Sequence, residues 1–452
     1  MLTLTEAAQQ IRSRQLSPVQ LTRACLARIE RLNPTLNAFI TVMAKLALEQ
    51  ARQAETEVMA GHWRGPLHGI PIGLKDLLVT AGFRTTAASN QFRDRVPTQD
   101  AVLVRQLKQA GAVLVGKLNL HEFAFGGSGI VSAFGPVKNP WDLQRITGGS
   151  SSGSAAAVAA GLCIAAIGTD TAGSIRCPSA LCGIVGHRPS AGWLSCKGVV
   201  PLSTSFDTPG PMTRTVRDAA LLLGALVTDA GSSAPNDWAA LDDSVGGLRV
   251  GVPRRNFFDD LQPEVAACVD EALAVIKTLV AQVADVQLGA GGHRSIFNAE
   301  IYEYHEAMVT KTPELYQPQT LPRILKCAGI SATDYIRDWR SLHTERNQAE
   351  ELFQQVDVVV TPTVPVAAPR ISELQSLGIN ELRQFETRYL LRNTSPFSVL
   401  YWPSVSIPCG FTREELPVGL QISGKPGADA TVLRLAHAYE QATQWHQRVP
   451  SE

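Results

Sequence analysis

Four neighbouring stretches limit the fold more than any other part of the chain. "DAVLVRQLKQAG" (100–111) has helical spacing and stops at Gly111, and "AVLVGKLNL" (112–120) is an almost unbroken apolar run. After a glycine-rich loop, an alanine-rich helix, "SAAAVAAGL" (154–162), leads into the strand-like "CIAAIGTD" (163–170). Strands this apolar must be covered on both faces, and the helices between them supply the cover. The alternation therefore predicts an α/β fold around a buried sheet.

The rest of the chain extends that pattern. Ser17-Pro18-Val19-Gln20 reads as a helix start, with Ser as N-cap and Pro at the first helical position. A second amphipathic helix spans roughly 43–60, and "GIPIGLKDLLV" (69–79) reads as a buried extended segment carrying one basic residue, Lys75. Sheet-like runs return at 356–363, 404–410 and 416–424, and a last amphipathic helix covers about 428–444. Residues 230–350 are more charged and mostly helical, with an isolated strand-like "LRVGVP" at 248–253. At 452 residues the chain can bury a large core, as one long α/β domain or as two lobes.

Charge and composition remove several functions. Lys+Arg and Asp+Glu both number 41, and no basic stripe interleaved with aromatics points to nucleic acid. No apolar run reaches membrane-spanning length and the first residues lack a signal-peptide layout, so a cytoplasmic protein is expected. The eight cysteines form no CxxC pair and the nine histidines no ligand spacing. Cys177 and Cys182 are expected as core residues, and neither a metal nor a cofactor is implied.

Two serine-bearing loops carry the chemistry. "TGGSSSGSAAA" (147–157) contains Gly149-x-Ser151-x-Gly153, formally a nucleophile elbow, but the preceding "NPWDLQRIT" reads as turn rather than strand. "DTAGSIR" (170–176) follows an apolar strand, and its small residues let backbone N–H groups converge as an oxyanion hole requires. Lys75, in apolar surroundings, is a candidate base if desolvation lowers its pKa. The competing structural role is an ion pair with Asp76 or Asp170.

Taken together, "GIPIGLKDL", "HEFAFGGSG", "FGPVKNPWD", "GGSSSGSAAAVAAG", "GTDTAGSIRCPSALCGIVG" and "LPVGLQISGKP" resemble the amidase signature family in content and order. The resemblance covers roughly 1–225 and 355–447. It implies one large domain, 1–452, with a central mixed sheet covered by helices on both faces and 230–350 as a variable helical region within it. It also implies a Ser-cisSer-Lys unit at Lys75, Ser150 and Ser174. Ser174 would attack an amide carbonyl, with Ser150 relaying its proton to neutral Lys75. The N–H groups of Thr171, Ala172, Gly173 and Ser174 would hold the oxyanion, and Ala124, Gly126 and Gly127 would wall the reaction centre.

Departures from the family pattern are few. Ala172 stands where Gly is common, Thr147 for Pro, Ser152 for Gly, and His187 for an apolar residue. Asp170 and Arg176 are expected to brace the loop. His121 and Glu122 can be read as an acid–base pair but are expected as helix or loop caps, and Tyr302, Tyr304 and Tyr316 are expected as core. The main expectation is a stand-alone hydrolase of small-molecule amides or carbamates, a homodimer by family analogy. The alternative is the glutaminase subunit of a transfer-RNA-dependent amidotransferase. That subunit usually carries Asp in the motif that here reads "NLHEF", so His121 leans towards the hydrolase. A non-catalytic family member is disfavoured because all three catalytic positions are intact.

Overall fold

The computed structural model describes residues 1–227, 238–289 and 293–451. In chain order its strands are β1 (Phe39–Val42), β2 (Pro71–Lys75), β3 (Val113–Leu118), β4 (Lys138–Asn139), β5 (Asp142–Ile146), β6 (Ala165–Asp170), β7 (Val185–Arg188), β8 (Thr208–Thr213), β9 (Arg249–Val252), β10 (Gln282–Asp285), β11 (Val358–Pro362), β12 (Ser404–Phe411) and β13 (Pro417–Ser423). Among the described residues eleven of these form one mixed sheet, ordered β1-β3-β2-β6-β8-β7-β12-β13-β11-β9-β10. β2 runs parallel to both β3 and β6, and β9 parallel to β10 and β11. Antiparallel pairings through β8, β7, β12 and β13 join these two parallel parts. The chain is a single large α/β domain.

Both faces of the sheet are buried, as the apolar strands require. On β3, Leu114 joins one core cluster while Val113 and Val115 join another. On β6, Ala165 and Ile167 face the first cluster and Ala166 the second. The helix Ser152–Ala159 is buried along its whole length, which explains its lack of a polar face. Helices Val216–Leu226 and Asp429–Ala442 cover the opposite side. The helix Pro18–Leu36 starts as expected, Ser17 Oγ accepting the N–H groups of Val19 and Gln20 at 3.1 Å.

Two sequence expectations need correction. "LRVGVP" is not isolated, because β9 pairs with β10 on one side and β11 on the other. "NPWDLQRIT" is not a plain turn, since β4 and β5 pair antiparallel within it. β8 went unforeseen because Pro209 and Pro211 argue against a central strand. The 230–350 stretch is mainly helical where described, in Pro263–Leu279, Arg294–Lys311 and Ala332–Glu350, while 228–237 and 290–292 lie outside the described residues.

This topology places the site. Lys75 ends β2 and Asp170 ends the parallel neighbour β6, so both project from the carboxyl ends of adjacent parallel strands. Open α/β sheets gather ligands at that edge.

Candidate active site

Lys75 is fully buried and has no carboxylate within ion-pair distance among the described residues. The two acids that were candidates to pair with it are taken elsewhere. Asp76 sits 2.8 Å from Lys117, and Asp170 2.9 Å from Arg176. Lys75 Nζ instead donates to Ser150 Oγ at 2.7 Å and to Thr169 Oγ1 at 2.8 Å. Burial lowers its pKa from 10.5 to about 7, against the opposing charges of Asp207 and Asp170. An amine of that pKa is partly neutral at physiological pH and can accept a proton.

The two serine loops meet beside it. Ser151 N–H donates to the Ser174 carbonyl at 3.2 Å, and the peptide joining Gly149 to Ser150 is cis. Ser151 Oγ is spent on the β6 backbone, accepting from Thr169 N–H and donating to the Thr169 carbonyl. The elbow-like serine is therefore a brace, while Ser150 is the one that reaches the lysine. Ser174 keeps 5% of its surface open, unlike the sealed Ser150 and Lys75. Among the described residues no hydrogen bond joins Ser150 to Ser174.

Asp170 shapes the loop that carries Ser174. Its Oδ1 accepts Gly173 N–H at 2.8 Å, and its Oδ2 accepts Ile175 N–H at 3.2 Å and Arg176 Nε at 3.0 Å. Burial alone would raise its pKa, yet Arg176, by charge and hydrogen bond, and Arg188 hold the carboxyl far below the usual range. Asp170 and Arg176 are thus paired, as expected. Gly173 needs correcting as an oxyanion donor, because its N–H is committed to Asp170. The N–H groups of Thr171, Ala172 and Ser174 have no protein acceptor among the described residues. Gly173 remains necessary for shape: at φ +136°, a Cβ there would lie 2.0 Å from Thr394 Oγ1. Ala172 is half-buried, and its carbonyl accepts from Thr394 Oγ1 at 2.7 Å.

The glycine-rich wall is tied to the same point. His121 N–H donates to the Ser150 carbonyl at 3.1 Å, and Ala124 follows at φ 59°, buried. Gly126 is required by packing, since a Cβ would meet the His121 ring at 2.1 Å. A Cβ on Gly127 would meet Leu391 Cγ at 3.2 Å, and one on Gly173 would meet Leu391 Cδ2 at 3.3 Å. Leu391 therefore bridges the two loops flanking Ser174. His121 and Glu122 do not pair with each other; neither caps the short helix Glu122–Ala124, and each accepts a loop backbone N–H, as expected of loop caps. His121 Nδ1 accepts Gly129 N–H at 3.3 Å, and burial pushes its pKa down to about 4. Glu122 instead accepts Gln317 N–H at 3.0 Å. Tyr302, Tyr304 and Tyr316 pack with Phe123 and Ala124 in one cluster, as core residues.

Sequence reasoning missed Thr169, Asp207, Leu391 and Thr394. All eight cysteines, Cys177 and Cys182 included, are free. No described helix is long and apolar enough to cross a membrane.

Residues 20–433 match the family model described as Amidase. This chain belongs to the amidase signature family. Its sequence is 38% identical to a glutamyl-tRNA(Gln) amidotransferase subunit from Geobacter metallireducens, covering 98% of each chain. Its structure is similar to the native peptide amidase of Stenotrophomonas maltophilia, at TM-score 0.86 and 31% identity over 99% of this chain and 98% of that chain. It also resembles the corresponding glutamyl-tRNA(Gln) amidotransferase subunit from Thermotoga maritima, at TM-score 0.77 and 32% identity over 98% and 95%.

Proposed function

We propose that this chain hydrolyses a carboxamide C–N bond through an acyl-enzyme on Ser174. The observation that supports it best is the sealed, unpaired Lys75 with its Nζ 2.7 Å from Ser150, one residue from the amide that holds the Ser174 carbonyl. Ser174 Oγ attacks the carbonyl carbon while its proton moves to Ser150 and the Ser150 proton to neutral Lys75. The contact between the serines closes with substrate in place, as catalytic hydrogen bonds tighten on binding. The tetrahedral oxyanion lies against the N–H groups of Thr171, Ala172 and Ser174. Collapse breaks the C–N bond, and the proton returns through Ser150 to the leaving nitrogen. Water then repeats the sequence on the acyl-enzyme and frees the acid.

For the amide itself, a primary carboxamide with glutamine as donor has the broader support. The Geobacter relative belongs to an amidotransferase and matches over nearly the full length of both chains. On this reading the chain releases ammonia and works with a protein partner. A stand-alone hydrolase of small amides is the second reading, and two observations favour it. His121 stands in "NLHEF", where the family resemblance implies an Asp for the amidotransferase subunit, and the apolar Leu391 lies against both loops at the nucleophile. None of the relatives above is a carbamate hydrolase, and the proposal is confined to carboxamides.

The test is to incubate the purified chain with glutamine and with graded primary and secondary amides, measuring released ammonia or amine. Turnover of simple amides by the chain alone selects the second reading. Ammonia from glutamine only in the presence of transfer RNA and partner proteins selects the first. Turnover that survives S174A removes the acyl-enzyme.

A further inference from the structure

The carboxylate of Asp207 has no part in the chemistry above, yet it holds the loop on which that chemistry depends. Its Oδ1 accepts the Thr171 hydroxyl at 2.5 Å, and its Oδ2 accepts the N–H groups of Leu202 at 2.8 Å and Ser203 at 3.2 Å. That turn is itself pinned from outside. Glu300, on the helix Arg294–Lys311, accepts Ser203 Oγ at 2.5 Å and Ser205 N–H at 3.0 Å, and the Tyr401 hydroxyl donates to the Ser205 carbonyl at 2.8 Å. Arg188 Nη1 bridges the backbone carbonyls of Asp170 and Phe206. A line of bonds thus runs from the helical region through Asp207 to an oxyanion donor.

We infer that Asp207 is a positioning residue of the acyl-transfer site: it tethers the oxyanion loop by accepting the Thr171 hydroxyl while holding the turn at Leu202 and Ser203. The inference rests on the Ser174–Lys75 reading. Burial pushes the Asp207 pKa up to about 6, opposed by the Thr171 hydroxyl, the two amides and Lys75. Of the charges acting on Lys75, Asp207 is the strongest that favours its protonated form, ahead of Asp170. Among the described residues the other titratable or charged groups acting on or near Asp207 and Lys75 are Arg188, His121, which burial keeps neutral, and Cys196, whose thiol burial pushes up to about 12. Once ionised, Asp207 makes Lys75 a stronger base, while its hydrogen bonds fix the loop.

Asp207→Asn separates the two roles. Turned so that its oxygen accepts the Leu202 and Ser203 amides, the Asn nitrogen can donate to Thr171 Oγ1, so the tether survives and the charge is lost. The readout is the rate of Ser174 sulfonylation by phenylmethanesulfonyl fluoride between pH 5 and 9, followed by intact mass, with S174A as blank. This needs no knowledge of the natural amide. D207N is expected to move the midpoint of the rise to lower pH by about half a unit or more. T171V is expected to keep the midpoint and lower the plateau, with T171S restoring it. An unmoved midpoint in D207N, or an unchanged plateau in T171V, overturns the inference while the acyl-enzyme reading stands. Absence of pH-dependent Ser174 labelling in the unaltered chain overturns both.

Discussion

Replacing Lys75 by methionine and following the rate against pH tests the base directly. A buried lysine with a pKa of about 7 is half neutral at pH 7, and about one tenth neutral at pH 6. An ordinary lysine at 10.5 would be neutral in only about three molecules in ten thousand at pH 7. Desolvation therefore raises the population of working base by roughly three powers of ten, equivalent to about 5 kcal/mol of differential solvation. The sign follows from the direction of the shift: acid protonates Lys75, so kcat/KM must fall about tenfold per pH unit below 7 and level off above about 8. Methionine fills a similar length of apolar space without a proton acceptor. Lys75→Met should lose about two to four powers of ten at pH 8 and with them the inflection near 7. The assay is initial-rate ammonia or amine release from pH 5 to 9, with circular dichroism to confirm the fold. An inflection near 7 that persists in Lys75→Met, or a wild-type profile flat from 5 to 9, would refute the reasoning.

Other expectations follow from the same contacts. Ser174→Ala should abolish turnover with no loss of thermal stability, because the Ser174 hydroxyl makes no hydrogen bond among the described residues; residual turnover would place the nucleophile elsewhere. Asp170→Asn leaves two buried guanidinium groups under-compensated and should cost about 3–5 kcal/mol by urea unfolding, against less than about 1 kcal/mol if the pair were a surface-type bridge. Ala172→Gly keeps every backbone bond of the oxyanion loop and adds only chain entropy, about 0.5–1 kcal/mol. Its turnover should stay close to wild type, and a large change would mean that the methyl itself contacts substrate.

The sequence made the proposed reacting groups legible and left the contacts around them hidden, for definable reasons. Lys75, Ser150 and Ser174 lie in motifs, and the apolar runs around them mark the strands. Thr169 reaches Lys75 only because β6 is the parallel neighbour of β2, a pairing that no local pattern announces. Asp207 precedes a strand disguised by Pro209 and Pro211, and Leu391 and Thr394 arrive from the far end of the chain. The Gly173 N–H is withdrawn from the oxyanion donors for a local reason readable in the sequence. An Asp followed by small residues commonly bonds the N–H groups just ahead of it, and Asp170 does so in "DTAG". That habit removes one of four apparent oxyanion donors.

The electrostatic logic of the site turns on which acids are left free. Asp170 lies close enough to Lys75 to favour its charged form, and an unpaired carboxylate there would hold the lysine protonated. Arg176 and Arg188 offset that charge, the first through a two-point contact and the second at 3.7 Å. On the proposed mechanism the two arginines therefore keep Lys75 usable as a base without touching it. Removing Arg188 should then act on Lys75 in the direction opposite to D207N. Arg188→Gln retains a donor for the Asp170 and Phe206 carbonyls but strips the charge, so Asp170 bears more strongly on Lys75. The midpoint of the kcat/KM rise should move to higher pH, with activity near neutrality falling and activity at pH 9 largely kept. A midpoint that falls or stays still, in a variant with wild-type circular dichroism, would show that Arg188 serves the fold alone.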